Sequence, residues 1–198
     1  MLRQATGGTT EMEITGAAKQ SPAGAHRSTQ CRLVLLSLFL LPGAVLAQGF
    51  DALIEEGQPR LGDVETQPSL GNDHVSAGTQ VAQDQDFPLS GPHASKPMVS
   101  GFYTEPQPKG ELLHALEHGQ VVVYYDEPGF KGLSMLKRWS KDRANDWTGL
   151  IAVPHEGLGD GLVLTAWRRR LDLPAFDEAA LAAFIDAYSG RGPENPVR

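Results

Sequence analysis

Cysteine is nearly absent from this 198-residue chain, and that absence removes several chemistries at once. The one thiol, Cys31, precedes the main apolar run instead of following it, so it is not placed as a lipoprotein cysteine. Beyond that run there is no cysteine at all. Disulfides, thiolate zinc sites, a cysteine nucleophile and a thiolate-bound blue-copper centre are therefore excluded there. Positive charge is also scarce. Of 17 basic and 24 acidic residues the first 47 positions hold four and two, leaving 13 against 22 and a net charge of −9. Such acidity argues against a nucleic-acid partner and attracts cations. A phosphate loop, a dinucleotide fingerprint, a G-x-S-x-G elbow and any Ser, His and Asp set recognisable by spacing are missing as well.

No stretch reaches the roughly 20 apolar residues of a permanent membrane helix. The nearest is 33–47, LVLLSLFLLPGAVLA, which contains Pro42 and ends in Val45-Leu46-Ala47, fairly small side chains where a signal peptidase reads. This predicts a cleaved export signal, Gln48 as the new N-terminus, and a periplasmic or extracellular protein, membrane-anchored if the signal stays uncleaved. Residues 1–32 are polar and much longer than an ordinary basic n-region, which points to a start codon downstream of Met1. Arg27 and Arg32 would still orient the signal.

Residues 48–72, mixed and turn-rich with Pro59 and Pro68, are expected to form a linker or arm. A single globular domain is expected over 73–194, with 195–198 as a tail. Pro88, Pro92, Pro97, Pro106 and Pro108 limit its first third to short strands and ordered loops. After Gly110 the pattern predicts a helix at 111–118 closed by Gly119. A central strand follows at 120–125 (QVVVYY). Gly132 marks the turn into a helix over 133–144, where Leu133, Met135, Leu136 and Trp139 share one side and Lys137, Arg138 and Lys141 the other. Strands are expected at 150–153 and 162–167, with the turn-rich 154–161 closing a hairpin between them. Pro174 and Asp177 lead into a last helix, EAALAAFIDAY, with Leu181, Phe184, Ile185 and Tyr188 at helical spacing. This order predicts an α/β or α+β fold: a compact two-layer sandwich with a small central sheet and two main helices.

Five histidines lie beyond the apolar run: His74, His93, His114, His118 and His155. His114 and His118 stand four apart, so on a helix both imidazoles leave one face a turn apart and can grip one ion. His93 ends Ser90-Gly91-Pro92-His93, a turn that fixes its approach, and His74 follows Asn72-Asp73 as a fourth candidate. Imidazoles without thiolate suit copper(II) or zinc; Met98, five residues after His93, would tilt the choice toward copper(I). The competing reading is a surface or hydrogen-bonded core pair at His114 and His118, a loop-satisfying His93 and a solvated His155. Residues 114–118 also spell H-x-x-E-H, the inverted zinc-peptidase pattern, but Gly119 stops the segment at once and the only late helical acid of the right type is Glu178. Arg168, Arg169 and Arg170 form a basic triplet after a strand, able to pair an anion but ordinary for a solvated strand end.

Taken in order, His74-Val75, Ser90-Gly91-Pro92-His93, residues 101–103, residues 113–119, Ala152-Val153-Pro154, Leu164-Thr165-Ala166-Trp167 and Gly192-Pro193-Glu194 resemble the domain of unknown function 3105 family. The H-A-L-E-H-G and S-G-P-H strings are the specific ones, and the match spans about 73–194. The family name lends no activity. The resemblance implies that His74, His93, His114, Glu117 and His118 are motif residues. Three functions follow from these residues. The first is an exported metal-binding protein for copper or zinc, with His93, His114 and His118 as ligands and His74 as a fourth. The second is an enzyme using the same histidines with Glu117 as catalytic acid or base. The third is an envelope interaction module with structural histidines and an apolar patch around Phe102 and Tyr103. Apart from the metal ion, the sequence names no partner.

Overall fold

Five apolar side chains in a row without polar alternation mark a strand buried on both faces, and in the computed structural model VVVYY is the strand on which the molecule is organised. Residues 49–76, 79–82 and 84–194 are described. The apolar run at 33–47, Cys31 and the leader lie outside the described residues. Among the described residues no helix is long and apolar enough to cross a membrane. In chain order the elements are α1 (Phe50–Gly57), a 3-10 segment (Gln58–Asp63), β1 (Glu65–Thr66), β2 (His74–Val75), β3 (His93–Ala94), β4 (Gly101–Phe102), α2 (Lys109–His118), β5 (Val121–Tyr125), α3 (Gly129–Asp142), β6 (Leu150–Pro154), β7 (Leu162–Ala166), β8 (Arg169–Leu173) and α4 (Glu178–Tyr188).

The fold is α+β, as expected. A mixed six-stranded sheet runs β1-β8-β7-β5-β6-β4, and β2 with β3 forms a separate two-stranded sheet. β5 lies between β6, parallel to it, and β7, antiparallel. The expected hairpin between 150–153 and 162–167 is therefore not formed: both strands pair with β5 instead of each other. The turn signals in 154–161 correctly mark a reversal, but the loop passes the end of β5, where Asp126 Oδ2 accepts the N–H groups of Gly157 and Gly159 at 3.0 and 3.1 Å. The hairpin is β7–β8, closed by Trp167 and Arg168, the latter at φ +64°. β8 (RRLDL) buries Leu171 and Leu173 on one face, where Arg169 lies over the Tyr188 ring, and on the other Arg170 makes two hydrogen bonds to Asp172. The basic triplet thus sits in a hairpin turn and an alternating strand.

One face of the sheet carries α1, α3 and α4 over a core of Val121, Val123, Leu136, Trp139, Leu164 and Phe184. Asp177 caps α4 by accepting the N–H of Ala180 at 2.9 Å. All side chains of α4 from Ala179 to Ile185 are buried, because α1 covers the side turned away from the sheet. Gly57 lies so close to α4 that a Cβ there would collide with the Ala179 carbonyl. The segment 48–72, expected as a linker or arm, thus contains a helix seated in the core and an edge strand paired with β8. Two helical turns are too short to reveal a period in the sequence. Leu53→Ala is accordingly expected to lower the unfolding free energy by about 2–5 kcal/mol in urea titration; a change within about 0.5 kcal/mol would return the segment to a linker. α3 begins earlier than expected, so Gly132 lies inside it, against the Phe176 ring.

The sheet with α1, α3 and α4 makes the expected two layers. The opposite face adds another: Leu112, Leu113, Ala115 and Leu116 of α2 pack on Val122, Tyr124, Ile151, Val153 and Val163. This side, with the irregular stretch before α2 and the two-stranded sheet, holds the histidines.

Candidate metal centre

α2 stops because Gly119 takes the left-handed conformation at φ +106° and its N–H closes on the Leu116 carbonyl. Within the helix His114 and Glu117 are three apart and both buried. The two-stranded sheet brings the other members. β2 and β3 run parallel with His74 directly beside His93, and the His93 N–H bonds the Asp73 carbonyl at 3.0 Å. Gly91, at φ +118°, folds the S-G-P-H turn so that its own carbonyl oxygen lies 2.9 Å from His93 Nδ1.

The four side chains converge. Ring centroids of His74, His93 and His114 are 4.5 to 5.0 Å apart. Glu117 Oε2 lies 3.0 Å from His93 Nε2 and 3.3 Å from His74 Nε2, while Asn72 donates its amide to Glu117 Oε1 at 2.7 Å. One ligand atom from each of His74, His93, His114 and Glu117 falls within a 4.8 Å set, so this group can hold a metal ion. A tetrahedral site with bonds of about 2.0–2.1 Å needs ligand atoms about 3.3 Å apart.

Backbone carbonyls fix the proton positions. A carbonyl only accepts, so the His93 nitrogen facing Gly91 and the His114 Nδ1 facing the Ala94 carbonyl at 2.8 Å both carry hydrogen. In the neutral rings Nε2 is then a bare lone pair, the state a metal needs. Burial holds the His114 pKa below the ordinary imidazole value, the neighbouring His118, His74 and His93 push the same way, and the Ala94 bond only partly opposes them. Burial alone would raise the pKa of Glu117. The Asn72 amide, together with His93 and His74 whenever those rings carry the extra proton, outweighs it and holds the carboxyl below its usual range. An ionised carboxylate therefore faces imidazole nitrogens.

His118 turns away from this group. Its Nδ1 donates to the Asp146 carbonyl at 3.1 Å, its ring stacks on Trp147 at 4.2 Å, and its Nε2 lies 2.9 Å from Glu194 Oε2. The pair four apart on α2 is thus divided, with His114 common to both halves: His114, His118 and Glu194 form a second set. Glu117 stands among the imidazoles as the carboxylate of the first set. Met98 packs against the core beneath α2, and its backbone N–H and carbonyl bond the Glu111 carbonyl and the Gln120 amide. His155 packs tilted against the Phe87 ring and bonds the neighbouring Glu156 carbonyl, apart from the cluster. Sequence reasoning missed Asn72 and Glu194 as members of the site. Asn72 adjoins the Asp73-His74 start, and Glu194 ends the G-P-E string, but nothing in their spacing points at α2.

A family model described as "Protein of unknown function (DUF3105)" matches residues 74–198. No curated protein and no solved structure matches the chain.

Proposed function

The chain belongs to the DUF3105 family, whose description names no chemistry, and from the geometry we propose that the protein binds one transition-metal ion, zinc(II) or copper(II), through His74, His93, His114 and Glu117. The carrying observation is the contact of His93 Nε2 with Glu117 Oε2 at 3.0 Å. With Nδ1–H committed to Gly91, that contact sets a lone pair against an ionised oxygen, which repels unless a proton or a cation stands between them. Three imidazole nitrogens and one carboxylate oxygen, without thiolate, suit zinc(II) or copper(II) better than magnesium or calcium. The Gly91 and Ala94 carbonyls supply the outer contacts that orient metal-bound imidazoles. The apolar run at 33–47 supports an exported setting for this binding.

Protein incubated with zinc(II) or copper(II), desalted and analysed by mass spectrometry is expected to retain about one equivalent. Retention of neither metal ends the reading.

A further inference from the structure

The ligand-bearing side chains do not end with the four proposed ligands. We infer that His114, His118 and Glu194 form a second seat for the same ion, which exchanges with the first seat through His114; the inference rests on the metal-binding reading above.

The second seat repeats the electrostatic arrangement of the first. The Asp146 carbonyl takes the Nδ1–H of His118, leaving Nε2 as a lone pair 2.9 Å from Glu194 Oε2. The same carboxylate oxygen lies 3.6 Å from His114 Nε2. Trp147, stacked on the His118 ring, holds the imidazole in that orientation. Glu194 is placed by backbone and not by chance of a trailing chain end. Gly190 N–H bonds the Gly119 carbonyl at 2.8 Å, and Glu194 N–H bonds the Glu117 carbonyl at 3.3 Å. Between them Gly192 lies against the end of α2, where any Cβ would collide with the Glu117 carbonyl oxygen. The G-P-E string thus fastens a carboxylate over the last turn of the helix that carries both histidines.

His114 decides how the two seats relate. Its Nδ1–H is committed to Ala94, so it owns one free lone pair and cannot bridge two ions. Filling one seat withdraws the shared ligand from the other. Each seat has one exposed member, the His74 side chain at 44% in the first and Glu194 at 40% in the second, so exposure does not separate them; ligand number does, four in the first and three in the second. A three-ligand seat keeps an open position. The second seat is therefore where an ion enters and leaves, and the first is where it rests.

The test uses the full chain with zinc(II) and a chromophoric chelator, reading stoichiometry at saturation and the rate of zinc transfer by stopped flow. Wild-type protein should bind one zinc. His118→Gln and Glu194→Gln should still bind one, with transfer slowed by about tenfold or more. His93→Gln should retain a weaker zinc on the second seat. Two zinc ions at saturation, transfer within about twofold of wild type in both second-seat variants, or complete loss of zinc in His93→Gln would overturn the inference while leaving the first site standing. Wild-type protein that binds no zinc overturns the metal reading itself and this inference with it.

Discussion

Glu117→Gln is expected to weaken metal binding by at least about 100-fold while leaving the metal-free protein as stable as the parent at about pH 8, where ordinary imidazoles are neutral. The first half follows from dividing the free energy of a four-ligand site, about 10–16 kcal/mol for structural zinc, among its ligands. About 3 kcal/mol per ligand is about two powers of ten in affinity, and Glu117 is the one anionic member of its set. The second half follows from hydrogen bonding. Glutamine has the same shape, keeps an oxygen for the Asn72 amide, and places an N–H where Glu117 Oε2 now faces the His93 and His74 nitrogens. That N–H satisfies a lone pair which the carboxylate repels.

The two readouts separate a metal site from a structural network. If the cluster were a set of protonated histidines locked on a carboxylate, the glutamine variant would lose charge-assisted hydrogen bonds, and stability without metal would fall by about 1.5–3 kcal/mol. Isothermal titration gives the affinity and chemical denaturation in chelator gives the stability. Lost affinity with retained stability supports the ligand role; lost stability in metal-free protein, with no metal bound by the parent, sinks it.

The elements that were legible from sequence are those whose pattern is complete within themselves. β5 shows five consecutive apolar residues, α2 ends on a glycine, and α4 announces its start with the capping Asp177. The strands flanking β5 were visible, but their partners were not: a reversal between 150–153 and 162–167 looks the same whether the two strands pair or a third lies between them. β8 was hidden by its charges, since Arg169, Arg170 and Asp172 mask the alternation with Leu171 and Leu173. α1 was hidden by brevity, though α4 carried an indirect sign of it, because a helix apolar on every side needs cover from more than a sheet.

The site divides the same way. The S-G-P-H turn and the H-A-L-E-H-G helix single out His93, His114, Glu117 and His118, and the structure brings these four into one region. Spacing could not assign them to seats. Helical geometry does put His114 and His118 close, with ring centroids 4.7 Å apart. Where their nitrogens point depends on the Ala94 and Asp146 carbonyls, which lie 20 and 28 residues away along the chain. Glu117 as a ligand depends on a parallel pairing of β2 with β3 that two-residue strands do not announce.

Zinc is expected to raise the melting temperature by about 10 °C or more near neutral pH and to do almost nothing near pH 5. Free metal at about 1,000 times its dissociation constant adds about 4 kcal/mol, and each kcal/mol is about 2–4 °C for a chain of this size. An imidazole must be unprotonated to bind, so each protonated ligand weakens binding by about tenfold per pH unit below its pKa. With several imidazoles in one site these losses multiply, which cancels the gain on acidification. The metal-free protein titrates in the same direction. His114 and Glu117 are held below their ordinary values of 6.5 and 4.5, so the folded state takes up protons later than the unfolded chain. Their contributions are complete above those values and are lost as pH falls through the folded pKa of each group. Stability without metal should therefore decline modestly on acidification, and the zinc-dependent increment should vanish over a narrower and higher range. His114→Gln should flatten the upper part of the metal-free curve and abolish most of the zinc increment, because that ring is shared by both ligand sets. A zinc increment of equal size at both pH values would mean that carboxylates alone hold the ion, and the imidazole site would have to be abandoned.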